Sequence, residues 1–356
     1  DESMTNAYHV SSISPNALIG FHDIGGNILG VTLSEGTWKG APSGDMHIVA
    51  KISGRDIASR AVLEEEVRRI GALSHPNLLC LLGVSYLDGD TFAAIYEYSV
   101  NGTLLTFCRQ RGAVIEERER ETHLHDFLST AIQMAAGLEY LSLQGIVHED
   151  VAARNVLVGE GMHVKVADIA SMMEEYRDDY VRDDYVNAGI RRPIRWMARE
   201  AIESNRLTSK SDVWAFGVTL WEMYSYGRQP YEGYSINQVN SLLSTRQLLE
   251  SPLHCPTNMY SLMVECWHDN PDRRPSFSEM HRRLQQWGSM SPPPRGTSSS
   301  SHSGSSGRGG GTMAGRSRAP APLYPPRGMK RSDDASPLMG MRPPVYEYSD
   351  EEGESE

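Results

Sequence analysis

The segment His148-Glu149-Asp150-Val151-Ala152-Ala153-Arg154-Asn155, with Asp168 thirteen residues after Asn155, constrains this chain more than any other feature. It spaces a candidate base, Asp150, and two metal-binding groups, Asn155 and Asp168, along one connection. Between the two clusters, Val156-Leu157-Val158 and Val164-Lys165-Val166 surround Gly159 and Gly161 and predict a hairpin that carries Asp168 back toward Asp150. Together these residues form the polar core of a phosphoryl-transfer site, in which the Asp accepts a hydroxyl proton while Asn and the second Asp hold Mg²⁺. Any one of them alone reads as turn chemistry. The ordered set does not.

The chain has 356 residues, enough for a two-lobed catalytic domain with a sizeable core and a tail. A formal net charge of −12, with no basic stripe interleaved with aromatics, argues against nucleic acid as a partner. Cys80, Cys108, Cys255 and Cys266 are widely scattered, lack the paired spacing of a zinc site, and read as reduced core thiols in a cytosolic setting. No apolar run is long enough to span a bilayer, and the start lacks a positively charged segment leading into an apolar core. The chain begins at Asp1 rather than Met, which leaves open a missing part that holds an anchor or leader.

Residues 1–18 read as a flexible lead-in, followed by β-type runs alternating with glycine up to Lys51. Residues 61–74 carry apolar side chains at Ala61, Val62, Val67, Ile70 and Leu73, an amphipathic helix that His75-Pro76-Asn77 stops. Residues 78–84 and 92–98 read as strands, 124–143 as a helix, and 209–287 as helix-rich, with Trp214, Trp221 and Trp267 as core pieces. The expected class is α+β: a β-rich lobe over about 19–99, a helical lobe over about 100–288, and a disordered Ser/Gly/Pro-rich tail over 289–356. Arg177-Asp178-Asp179-Tyr180-Val181 recurs at once as Arg182-Asp183-Asp184-Tyr185-Val186. This reads as a duplicated loop that presents Tyr180 and Tyr185, with Tyr176 just before, or equally as a solvated charge run.

Lys51 ends the run Ile48-Val49-Ala50-Lys51, where an ammonium can reach the α- and β-phosphates of a nucleotide. Glu66 on the amphipathic helix is the carboxylate expected to hold it, and Val49 is expected to roof the adenine site. Gly25-Gly26-Asn27-Ile28-Leu29-Gly30-Val31-Thr32 keeps Gly25 and Gly30 of a phosphate-covering G-x-G-x-x-G-x-V loop, but Asn27 takes the second glycine position and Thr32 the final valine. A plain hairpin is the alternative there. Downstream, Glu200 is placed to pair with Arg274, and Asp212 to brace the catalytic-loop backbone.

With these residues in hand, the chain resembles a protein kinase over residues 20–287, and more narrowly a receptor tyrosine kinase. The marks are Pro193-Ile194-Arg195-Trp196-Met197 and Ala152-Ala153-Arg154-Asn155, whose Arg lies four after the candidate base. Leu78-Leu79-Cys80-Leu81-Leu82-Gly83-Val84, Arg246-Gln247-Leu248-Leu249 and Met259-Tyr260-Ser261-Leu262-Met263-Val264-Glu265-Cys266-Trp267 look like the ROR family of orphan Wnt-binding receptors. The resemblance implies catalytic roles for Asp150, Arg154, Lys51 and Glu66. It also implies nucleotide contacts from the hinge, Glu97 and Ser99, and ATP with Mg²⁺. A protein tyrosine substrate and a single-pass receptor, capable of dimerising, whose part at the cytoplasmic face of the plasma membrane this is, follow from it as well.

Several positions depart from the pattern. Glu149 replaces a cation and would repel phosphotyrosine. Ala170 in Asp168-Ile169-Ala170 replaces a hinge glycine. Arg199 replaces the proline of Ala-Pro-Glu, and the bulky Tyr96 precedes the hinge. An enzyme and a pseudokinase scaffold therefore both stay open. In the tail, Pro322-Leu323-Tyr324-Pro325-Pro326-Arg327 resembles an SH3 ligand and Pro343-Pro344-Val345-Tyr346 a WW ligand, against the alternative of a solvated spacer. Candidate phosphorylation sites are Tyr176, Tyr180 and Tyr185 in the loop and Tyr346, Tyr348 and Ser349 in the tail, where SH2 adaptor domains are further candidate partners.

Overall fold

The computed structural model describes residues 10–25, 29–99, 101–112, 120–182 and 191–290. Alternating apolar residues and tight glycine turns build the first lobe as an antiparallel sheet of β1 (Leu18–Asp23), β2 (Val31–Ala41), β3 (Gly44–Ser53), β4 (Leu81–Tyr86) and β5 (Phe92–Glu97), in the order β1-β2-β3-β5-β4. One face buries Ile48, Ala50, Ala93 and Ile95. The other turns Leu33, Val49 and Tyr96 toward the rest of the molecule, together with Leu63 and Val67 of helix α1 (Ile57–Ile70).

The second lobe is helical: α2 (Leu104–Gly112), α3 (Arg120–Leu143), α4 (Arg199–Ser204), α5 (Ser209–Tyr224), α6 (Ile236–Ser244), α7 (Thr257–Cys266) and α8 (Phe277–Met290). From Ser211 to Tyr224 every residue of α5 is buried, so it serves as the lobe's spine. The hairpin β6 (Val156–Val158) and β7 (Val164–Val166) forms as expected, with Val156 opposite Val166. A short pair, β8 (Val181–Arg182) and β9 (Arg191–Arg192), lies farther along the segment.

Four boundaries differ from the sequence reading. The lead-in is not wholly free: Val10 and Ile13 are buried and Ser12 bridges Val84, because the sheet's outer apolar face needs cover. Helix α1 starts four residues early, since the Asp56 carboxylate accepts from Ser59 N and caps it, and ends at Ile70 rather than 74. Strand β4 begins only at Leu81, and α2 was not foreseen at all. Cys108 and Cys266 are buried as expected, but Cys80 is exposed. The wider tail assignment lies outside the described residues, although α8 runs on to Met290.

Candidate active site

On the sheet side, Lys51 stands on β3 between Leu33 and Ala94 and donates to Glu66 Oε1 at 2.7 Å. Burial works against its charge, but the carboxylates of Glu66 and Asp168 outweigh burial and hold its pKa above the ordinary lysine value. Val49, two residues earlier on the same face, is buried and pairs with Tyr96 of β5. Asp168 follows β7 and is exposed. It lines a cavity of about 310 Å³ together with Lys51, Glu66, Tyr96, Cys80 and Ile169.

On the helical side, Asp150 is surrounded by donors. Arg154 Nη2 reaches Oδ1 at 2.6 Å, while Asn155 Nδ2 and the Tyr180 hydroxyl reach Oδ2 at 2.7 and 2.5 Å. Arg154 is fully buried, and its guanidinium lies 4.0 Å from the Trp196 ring centroid and 4.7 Å from that of Tyr180. Its Nε also donates to the Tyr180 oxygen at 2.8 Å. Burial, and next the charge of Asp150, push the Tyr180 phenol well above its usual range, so it stays protonated.

The loop backbone is braced from α5. Asp212 accepts from the amides of His148 and Glu149 at 2.7 and 3.0 Å, and burial pushes its carboxyl up to about 6. This grip holds Glu149 at φ 73°, with its side chain exposed. Two residues before the end of α5, Glu222 Oε2 accepts from Ala153 N at 3.0 Å and Trp196 Nε1 at 2.7 Å. Burial raises its carboxyl to about 7, although Arg154 opposes the rise. At the far end of the segment, Arg274 grips Glu200 with two hydrogen bonds of 2.6 and 2.8 Å.

An amide oxygen and a carboxylate, Asn155 Oδ1 and Asp168, are donors of the kind Mg²⁺ takes together with nucleotide phosphates. In this arrangement Oδ1 accepts instead from Ile169 N at 3.2 Å and Ala170 N at 2.9 Å. The pair fits the ion once those two amides withdraw.

Residues 25–284 match the family model described as protein tyrosine and serine/threonine kinase. The chain belongs to the protein kinase family. Among curated relatives, the tyrosine-protein kinase transmembrane receptor Ror of Drosophila melanogaster is 42% identical over 224 residues, covering 63% of this chain and 32% of that protein. The transforming protein Abl of Abelson murine leukemia virus is 37% identical over 264 residues, 74% of this chain and 33% of its own length. The BDNF/NT-3 growth factors receptor of Gallus gallus is 35% identical over 258 residues, 70% and 31% respectively. The chain thus spans about a third of the length of the curated relatives it matches, and within the family it is a tyrosine kinase domain.

In this kinase domain the expected pairs Lys51–Glu66 and Glu200–Arg274 form, as does the Asp212 brace. Other expected site residues make contacts that the sequence does not show. A Cβ on Gly25 would lie 2.5 Å from Met172 O, so that glycine admits the segment after Asp168. Gly30, at φ 81°, packs on Ser59 of α1. Asn27 lies outside the described residues. Thr32 turns its hydroxyl to Ile52 O, and the buried Leu33 takes the cleft-facing place. The carboxylate of Glu97 accepts from Cys80 N at 2.7 Å and pairs with Lys165 at 2.8 Å. The Ser99 hydroxyl is spent on Val158 O at 2.8 Å.

The loop tyrosines also differ from a presented display. Tyr176 is buried with its hydroxyl 3.0 Å from Thr103 Oγ1, and Tyr180 is buried on Asp150. Tyr185, Tyr346, Tyr348 and Ser349, with the SH3 and WW motifs, lie outside the described residues. Sequence reasoning missed Glu222, Trp196 and the Tyr180 contact. A lone carboxylate inside the apolar run Val218-Thr219-Leu220-Trp221-Glu222-Met223 was the available signal for the first, since a buried charge needs a partner.

Proposed function

We propose that this domain transfers the γ-phosphoryl group of ATP to protein tyrosine, as the cytoplasmic part of a Ror-like membrane receptor. The observation that carries the reading is the phenol of Tyr180 lying 2.5 Å from Asp150 Oδ2, where an acceptor hydroxyl must give up its proton. In the reaction Asp150 takes the phenolic proton as the oxygen attacks phosphorus, and ADP departs with the bridging electrons. Arg154 holds the Asp150 carboxylate in place by its bond to Oδ1. Lys51, fixed by Glu66, meets the negative charge of the phosphates. Asn155 and Asp168 would hold Mg²⁺, which when bound neutralises charge on the phosphate oxygens.

Tyr180 itself covers the base, so its phosphorylation requires it to leave Asp150 and act as substrate of another copy or another kinase. Tyr176, Tyr185, Tyr346 and Tyr348 are further acceptors, and Ser349 suits an acid-directed serine kinase. The modified tyrosines would recruit SH2 domains, and the proline motifs SH3 or WW domains, at a receptor dimer. Mass spectrometry of the protein from cells with active tyrosine kinases tests the loop sites: absence of phosphate on Tyr176, Tyr180 and Tyr185 together would refute them. For the activity, the intact chain is incubated with Mg²⁺, ATP and a tyrosine peptide, and transfer that Lys51→Met abolishes is the expected result.

A further inference from the structure

Two donors converge on a single oxygen of Glu66. Lys51 Nζ lies 2.7 Å from Oε1, and the Tyr96 hydroxyl donates to the same atom at 3.2 Å. Tyr96 lies near the end of β5, paired with Val49 of β3 and Leu81 of β4, and is 3% exposed. Its phenol stays protonated, because burial and then the charge of Glu66 raise its pKa well above the ordinary value. It is therefore a permanent donor, mounted on a strand that is paired on both sides.

Glu66 is mounted less firmly. Helix α1 buries only Ser59, Leu63 and Val67, and apolar contacts of that kind let a helix slide or roll over a sheet. A second phenol, Tyr86 of β4, also ties the helix down, donating to Glu64 Oε1 at 2.9 Å. That bond holds the helix, whereas the Tyr96 bond acts directly on the carboxylate that meets Lys51. A phenylalanine at position 96 would keep the ring, and with it the wall shared by Val49 and the cavity behind Lys51.

We propose that Tyr96 is a positioning residue: its hydroxyl fixes the Glu66 carboxylate, and through it the Lys51 ammonium, before nucleotide arrives. The side chain touches no reacting atom and acts only through Glu66. The inference rests on the phosphoryl-transfer reading of the site, and the two fail separately in the experiment that follows.

Steady-state transfer to a tyrosine peptide is measured on the intact chain with ATP varied, for wild type, Tyr96→Phe, Tyr86→Phe, Glu66→Gln and the double variant Tyr96→Phe/Glu66→Gln. The expected result for Tyr96→Phe is a kcat lower by about tenfold, the low end for one lost hydrogen bond to a charged group. Its KM for ATP should stay within about twofold, because the adenine wall is intact. Tyr86→Phe should leave kcat within about twofold, and Tyr96→Phe should add almost nothing in the Glu66→Gln background. An unchanged kcat in Tyr96→Phe, or an equal loss with and without Glu66, overturns the proposal. If wild type neither binds nor turns over Mg²⁺-ATP, the phosphoryl-transfer reading is what fails. Hydrogen exchange then decides the Tyr96 contact: faster exchange across α1 in Tyr96→Phe supports it, and unchanged exchange refutes it.

Discussion

The two sides of the cleft stand in different states. On the sheet side Lys51, Glu66 and Tyr96 are joined by hydrogen bonds, Lys51 and Tyr96 buried and Glu66 half-buried, with the charges of Lys51 and Glu66 balanced. On the helical side the proposed base and one proposed metal ligand are both taken: Asp150 by Tyr180, and Asn155 Oδ1 by the amides of Ile169 and Ala170. The half that meets nucleotide is assembled in advance, and the half that meets the acceptor hydroxyl is closed by the chain's own segment. Assembly is cheap on a sheet, where β3 and β5 fix Lys51 and Tyr96 by register. The catalytic loop has no regular strand to set its geometry and borrows it from buried charges on α5.

The comparison breaks first at the base. Asp150→Asn should lower transfer by at least about a hundredfold in a peptide assay while leaving nucleotide binding nearly intact. Next comes the staple at the segment's end. Glu200→Ala leaves the fully buried Arg274 without its partner, and a chemical denaturation series should show a loss of about 3 kcal/mol, at the low end for such pairs because Glu200 is one-third exposed.

The α5 carboxylates give a pH signature. Because burial lifts Glu222 from the ordinary carboxylate range to about 7, the folded state binds its proton more tightly than the unfolded chain. Its contribution, about 3 kcal/mol, is complete below the ordinary range and is lost as pH rises toward 7. Asp212, raised to about 6, acts in the same direction. The melting temperature should therefore fall from pH 5 to pH 8, and Glu222→Gln should flatten that slope.

Two smaller changes sharpen the contrast. Tyr180→Phe removes the phenolic bond to Asp150 and should raise the initial rate of peptide phosphorylation about tenfold. Ala170→Gly increases the freedom of the segment that occupies Asn155 Oδ1, and should raise the same rate by about twofold to fivefold.

Much of the site was legible because its residues sit at fixed intervals. Asp150, Asn155 and Asp168 are tied by a hairpin whose alternation is plain, and Lys51 with Glu66 by a strand followed by an amphipathic helix. Glu97 and Ser99 were expected to meet nucleotide as hinge residues, and their side chains bond to protein groups, which leaves the backbone contacts of a hinge open. Side-chain direction at a strand end depends on neighbours that the local pattern does not specify. The close approach of the Met172 backbone to Gly25 was not legible, because Met172 is distant in sequence. Tyr180 could be seen as a loop tyrosine, but its burial depends on Arg154, Trp196 and Asp150 meeting in space.

The most direct measurement is the initial rate of γ-phosphoryl transfer to a tyrosine peptide at saturating Mg²⁺-ATP, for wild type, Tyr180→Phe and Asp150→Asn side by side. An assembled nucleotide half behind a covered base requires slow transfer in wild type, faster transfer in Tyr180→Phe and none in Asp150→Asn. Nucleotide binding with no transfer in wild type or Tyr180→Phe would contradict the account and make the domain a scaffold.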